Sequence, residues 1–144
     1  MQTISTIDLA HRLRPVIARL ARRMRQQASG DLSPTQGAAL AMIDCHGPLT
    51  PSELAVRERI QRPTATRVLA RLEEAGLIAR TSDPADRRSS LLATTPAGAD
   101  LLASVRDRKD AYLAQRLEAL APEDLAALER AAGILERLLE EADE

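Results

Sequence analysis

The chain has 144 residues, a net charge of −1 at pH 7, 44% hydrophobic and 28% charged residues, no Phe, no Trp and a single Tyr, Tyr112. That length admits one domain or two small lobes sharing a core, and a core built from Leu, Ile, Val, Met and Ala suits interdigitating helices better than a β-sandwich. The near-neutral balance gives no global signal for a polyanion partner, the lone Cys45 excludes an intramolecular disulfide framework and fits a reducing cytoplasm, and no apolar run approaches a membrane span.

The predicted elements follow in chain order. Residues 6–29 place Ile7, Leu9, Leu13, Val16, Ile17, Leu20 and Met24 at helical spacing, with Ser5 or Thr6 as the cap and a kink expected near Arg14 because Pro15 lacks a donor. This Arg-rich opening is read as a mature helix, since no cleavage-type break follows, and Ser29-Gly30-Asp31 ends it. "SPTQ" at 33–36 starts a second helix: Ser33 caps, Pro34 takes the first position and Gln36 closes a capping box. It stops at Gly47-Pro48. "TPSE" at 50–53 repeats the device for a short helix from about Pro51 to Arg57. A turn leads to "QRPTATRVLARLEEAG", with Pro63 in the first turn and Gly76 as the stop. Two β-prone runs, Leu77–Thr81 and Ser90–Thr94, flank the Asp83-Pro84-Ala85-Asp86 turn. Thr95 caps a further helix running to about Leu120, and Pro122 opens the last one, where Leu125, Leu128, Ala132, Leu135 and Leu139 form a heptad-like seam. The order is α-α-α-α-β-β-α-α.

Charge is segregated along this order. Residues 1–30 carry six Arg against one Asp (+5), residues 55–90 carry eight Arg against five acids (+3), and residues 118–144 carry two Arg against nine acids (−7). Such a split points to a basic working surface and an acidic face elsewhere. Of the 20 basic residues only Lys109 is not Arg.

Two helices joined by a tight turn and followed by a hairpin describe a winged helix-turn-helix. Projecting its second helix at about 100° per residue gathers Ala65, Val68, Leu69 and Leu72 on one side. The other side shows Pro63, Thr66, Arg67 and Ala70, flanked by Arg62, Thr64 and Arg71, with no carboxylate before Glu73 and Glu74. A merely solvated face would mix signs. Arg grips guanine O6 and N7 with two hydrogen bonds, and Thr bonds a base edge or touches a thymine methyl. The hairpin tip would carry Arg87 and Arg88 over the neighbouring minor groove, where the negative potential is concentrated.

The stretches "RPTATRVLARLEEAGLI" at 62–78 and "DPADRR" at 83–88, followed by Thr95 and Gly98, resemble the winged-helix region of MarR-family transcriptional regulators. The likeness extends over essentially the whole chain. It implies a mainly α fold with a small β-hairpin wing, in which dimerisation helices at residues 1–32 and 99–144 flank a DNA-binding lobe at 33–98. It also implies a homodimer on a palindromic double-stranded DNA site, acting as a repressor released by a small molecule. By that resemblance Arg62, Thr64, Thr66 and Arg67 fall on DNA-reading positions, Arg88 on the wing arginine and Asp86 on the acid that braces the wing. The chain departs from the family pattern with Arg59 where the interhelical turn often has Gly, Glu58 at an apolar position, Gln61 at a Ser or Thr cap and Thr94 in place of Leu. Arg57 and Arg59 would then add phosphate contacts.

Leu9, Leu13, Ile17, Leu125, Leu128, Leu135 and Leu139 need partners that a small winged lobe cannot supply, and an isologous two-fold contact would provide them. It would set two recognition helices about one DNA turn apart, ~34 Å. A change in that spacing would change affinity, which is how an effector of unspecified identity would act. No cofactor or metal is expected with His11 and His46 as the only histidines. Cys45 is expected to be a buried, inert thiol. Three alternatives stand beside the regulator: a winged-helix protein-interaction module without DNA binding, a redox-responsive regulator acting through Cys45, and an enzyme. Against the last, there is no Gly-rich phosphate loop and no nucleophile–base pair.

Overall fold

A computed structural model describes residues 3–28, 30 and 32–142. The elements are α1 (Thr6–Ala28), α2 (Pro34–His46), α3 (Pro51–Glu58), α4 (Arg62–Glu74), β1 (Ile78–Ser82), β2 (Ser90–Thr94), α5 (Pro96–Leu117) and α6 (Pro122–Ala142). The described elements follow the expected order; β2 falls at Ser90–Thr94 as expected, and other boundaries move by up to three residues. Helix α1 stays helical on both sides of Pro15. Ser29 and Asp31, expected to end it, lie outside the described residues. Helix α5 stops at Leu117 instead of Leu120.

The starts of α2 and α3 are built by matching side chains. Ser33 Oγ accepts from Gln36 N at 3.1 Å while Gln36 Oε1 accepts from Ser33 N at 3.0 Å. Thr50 Oγ1 accepts from Glu53 N at 3.1 Å, and Glu53 Oε2 accepts from Thr50 N at 3.2 Å. Each box satisfies two amides that the helix itself cannot. Gln61 heads α4 without a side-chain cap bond, so only Pro63 prepares that helix start.

The chain divides into two compact units, Met1–Lys109 and Asp110–Glu144. The first holds the core: Leu40 and Ile43 of α2, Leu54 of α3, Leu69 and Leu72 of α4, and Leu92 of β2 are all at most 1% exposed. The hairpin is antiparallel, pairing Ile78 with Thr94 through to Ser82 with Ser90. Leu49, in the link between α2 and α3, adds a one-residue bridge to Leu92, with Leu49 N donating to Leu92 O at 3.1 Å and Leu92 N to Leu49 O at 2.7 Å. That bridge binds the hairpin to the helix-turn-helix.

Gly98 marks the closest approach in this unit. A Cβ there would fall on the Leu77 carbonyl oxygen and 2.8 Å from Thr94 Cγ2. Only glycine lets the first turn of α5 lie this near the base of the hairpin.

The second unit holds the end of α5 and all of α6. Within it the Arg116 guanidinium stacks 4.0 Å from the centroid of the Tyr112 ring. The apolar seam of α6 is bare: Leu125, Leu128, Leu135 and Leu139 are 39%, 47%, 37% and 71% exposed. On α1, Leu9 and Leu13 are likewise exposed, together with Ile7, Val16 and Ile17.

One expectation fails. Cys45 is exposed, not buried. In the last turn of α2 the inward positions are Leu40 and Ile43. Two residues beyond Ile43 the helix has turned about 200°, so Cys45 points outward with Asp44 and His46.

Candidate nucleic-acid interface

Helix α4 separates its two sides as the projection requires. Ala65, Val68, Leu69 and Leu72 are buried, whereas Arg62, Pro63, Thr66, Arg67, Ala70 and Arg71 are exposed and Thr64 is half-buried. Burial of four apolar side chains against α2 and α3 fixes which face is left for a ligand. Arg67 and Arg71 are free of hydrogen-bonded partners among the described residues, so both forks point into solvent with all donors available. Arg62 is held differently: its Nη2 donates to Ser52 Oγ of α3 at 3.0 Å, which ties the two helices of the motif together. Thr66 Oγ1 donates to Arg62 O one turn back at 3.0 Å. Its proton is thereby occupied, leaving the hydroxyl as an acceptor and the methyl as an apolar contact.

The turn between α3 and α4 carries a conformational cost. Arg59 sits in the left-handed region at φ 53°, ψ 43°, and its N–H donates back to the end of α3. A side chain in this region costs about 1–2 kcal/mol that glycine would not. Arg59 lines, with Gln61, Arg62 and the exposed Val56, an open cleft of ≈ 380 Å³. A second cleft of ≈ 290 Å³ lies between the start of α2 and the Thr64–Arg67–Arg71 side of α4. Arg57 is exposed on α3.

The wing is shaped by its two aspartates. Asp83 Oδ1 accepts from Ala85 N at 2.9 Å and Asp86 Oδ1 accepts from Arg88 N at 3.0 Å, while Asp86 O accepts from Ser89 N at 3.0 Å. Each carboxylate turns the chain by satisfying an amide two residues on. Arg87 and Arg88 emerge from this turn exposed and without an ion-pair partner among the described residues.

Two connections escaped the sequence reading. Arg80 of β1 pairs with Glu73 in the last turn of α4, the one ion pair among the described residues, and its Nη1 donates to Ser90 Oγ of β2 at 3.2 Å. This joins the wing base to the helix beside it. Thr95 does more than cap α5: its Oγ1 accepts from Gly98 N at 3.1 Å and donates to Gly76 O at 2.6 Å. Next to it Thr94 Oγ1 is buried with no partner. Of these, the cap at Thr95 and the departure at Thr94 left marks in the sequence; the Arg80 contacts and the Thr95–Gly76 bond did not.

The assembled surface is a helix face rich in Arg, a basic turn and a wing tip with two adjacent Arg, all on the Met1–Lys109 unit. Among the described residues no group of His, Cys, Asp or Glu could hold a metal ion, and no helix is long and apolar enough to cross a membrane. Comparison with known proteins gives this surface a context. The MarR family profile matches residues 32–90. The chain is 34% identical to an HTH-type transcriptional regulator of Mycobacterium tuberculosis over 139 residues, covering 96% of this chain and 97% of that one. It is 35% identical to the multiple antibiotic resistance protein MarR of Salmonella typhimurium over 100 residues, 69% of each chain. Its fold matches the crystal structure of a putative transcriptional regulator from Pseudomonas aeruginosa with a TM-score of 0.80 and 31% identity, covering 96% of this chain and 98% of that one. With the Arg-bearing α4 and its wing in place, the chain belongs to the MarR family of DNA-binding transcriptional regulators, a family of regulators and not of enzymes.

Proposed function

We propose that the chain works in the cytoplasm as a homodimeric repressor that binds a palindromic operator in double-stranded DNA and is released by a small-molecule effector. The observation that carries this reading is the exposed side of α4, where Arg62, Thr66, Arg67 and Arg71 stand with no carboxylate before Glu73. In the major groove Arg67 and Arg71 read base edges, with Thr64, Thr66 and Pro63 shaping the contact. Arg57 and Arg62 hold phosphates across the backbone, and Arg87 and Arg88 enter the adjacent minor groove on a wing kept in shape by Asp86. The seams that include Leu9 and Leu13 on α1 and Leu125, Leu128, Leu135 and Leu139 on α6 cover one another between two copies. An isologous pairing sets two α4 helices about one helical turn of DNA apart, ~34 Å. The clefts beside α4 are the natural entry for an effector, because a ligand there competes with DNA for the same arginines.

The test is fluorescence-anisotropy binding to selected genomic fragments at two salt concentrations. Affinity is expected to fall steeply with salt. Replacing Arg88 by Ala lowers affinity for all sequences alike, while Arg67→Ala also relaxes base preference, by about 1–3 kcal/mol where it grips a guanine. Affinity unchanged by both substitutions would favour a winged helix that meets protein instead.

A further inference from the structure

The DNA-binding reading uses the wing tip without saying what aims it. The hairpin is anchored at its base, where Ile78 of β1 and Leu92 of β2 are buried in the core of the winged lobe. Strand side chains share a face at every second residue, so Arg80 and Ser82 follow Ile78 on that face and Ser90 precedes Leu92. From Arg80 to Ser89 no side chain is buried, and Thr81, Ser82 and residues 84–88 are exposed. The apolar grip on the hairpin therefore ends well before Arg87 and Arg88. One polar clasp begins where that grip stops. Arg80 Nε donates to Glu73 Oε2 in the last turn of α4, and Arg80 Nη1 donates to Ser90 Oγ at the start of β2, at 3.2 Å. A single guanidinium thus holds the reading helix and both strands of the hairpin, and its planar fork fixes the angle between the two bonds. The side chains of the ion pair are 34% and 43% exposed, a setting in which such a pair adds little to folding.

We propose that Arg80 is a positioning residue for DNA binding: held by Glu73 and Ser90, it fixes the angle of the wing to α4, so that Arg87 and Arg88 stand at the minor groove when α4 occupies the major groove. This rests on the reading of the wing as a minor-groove contact and adds to it the device that sets the wing's direction. A wing free to swing loses that freedom when it docks, and the complex is weaker by the cost of ordering it. A wing held in advance avoids the cost. The same geometry gives an acid a part in binding a polyanion. The Glu73 carboxylate repels phosphate, yet it strengthens the complex because it holds Arg80. Charge alone gives the opposite sign.

The experiment measures the affinity of full-length chains, by fluorescence anisotropy, for the tightest duplex that the wild type selects from a random-sequence pool. Thermal melts followed by circular dichroism control for folding. Arg87→Ala/Arg88→Ala is made first and is expected to weaken binding. Wild-type affinity in that variant sinks the minor-groove reading, and the positioning role with it, before the clasp is touched. Glu73→Ala is expected to melt close to the wild-type temperature yet to bind about three- to tenfold more weakly. In the Arg87→Ala/Arg88→Ala background the same substitution is expected to leave affinity unchanged or to raise it slightly, since no wing contact remains to be misplaced. Glu73→Arg/Arg80→Glu restores the pair without changing net charge and is expected to recover most of the lost affinity. Glu73→Ala binding as tightly as the wild type, or more tightly, overturns the inference. So does an equal loss in both backgrounds, for α4 itself would then be disturbed. A swapped pair that binds no better than Glu73→Ala overturns it too, for Arg80 would then be touching DNA directly.

Discussion

The winged lobe and the terminal helices use the same apolar alphabet to opposite ends. In the lobe, Leu40, Leu54, Leu69 and Leu92 are wholly covered. On α1 and α6, side chains of the same kind, Leu9, Leu13, Leu128 and Leu139, stand at least 37% open to water. The first region is a closed core, whereas on each of the two terminal helices the apolar side chains lie open. Composition could not separate them, since both are rich in Leu and Ala. What separates them is geometry: three helices and a hairpin enclose a centre, whereas a lone helix has no inside.

The sharpest way to probe this contrast is to shorten one leucine in each region. Leu69→Ala empties space in the covered core and is expected to lower unfolding free energy by roughly 2–5 kcal/mol at any protein concentration. Leu139→Ala removes a side chain that is 71% exposed in the single chain. Its effect on chemical denaturation is expected to vanish at high dilution and to appear as concentration rises. Equal, concentration-independent losses at both positions would break the distinction.

A smaller effect tests how complete the closed core is. Thr94 Oγ1 is buried without a partner where the helix-turn-helix meets the wing. Thr94→Val keeps the branched shape and removes the orphaned hydroxyl, so a gain of about 1–2 kcal/mol is expected in urea titration. A loss would mean that the hydroxyl is satisfied after all.

The smallest expected change concerns the turn. Arg59→Gly relieves the left-handed backbone at φ 53° but loosens the unfolded chain. The net gain in stability is expected to be ~0.5–1 kcal/mol, accompanied, if Arg59 meets a phosphate, by weaker DNA binding and a shallower salt dependence. A variant that gains stability and keeps full affinity would make Arg59 a bystander.

These sites show which parts of the molecule were legible in advance. The starts of α2 and α3 were readable because a capping box writes both partners within four residues, as Ser33 with Gln36 and Thr50 with Glu53. The two faces of α4 followed from periodicity, and the stop at Gly76 from its tolerance of a positive φ, here 73°. Legibility ended where the partner lies far along the chain. Nothing near Leu49 announces its bridge to Leu92, and nothing near Arg80 announces that Glu73 and Ser90 will both meet it. The end of α5 at Leu117 was missed because no breaker precedes Pro122. Cys45 was misplaced by composition: free thiols are usually buried, but its phase on α2 turns it outward.

One hydroxyl gives the winged lobe a mechanical property. Thr95 grips the Gly76 carbonyl just beyond α4 and the amide at the head of α5, and Gly98 lies hard against the base of the hairpin at Leu77 and Thr94. A displacement of the leading turn of α5 is therefore expected to be felt at the segment that follows α4, because one hydroxyl is bonded to both. The joint behaves as a rivet, and motion at one end of it is motion at the other.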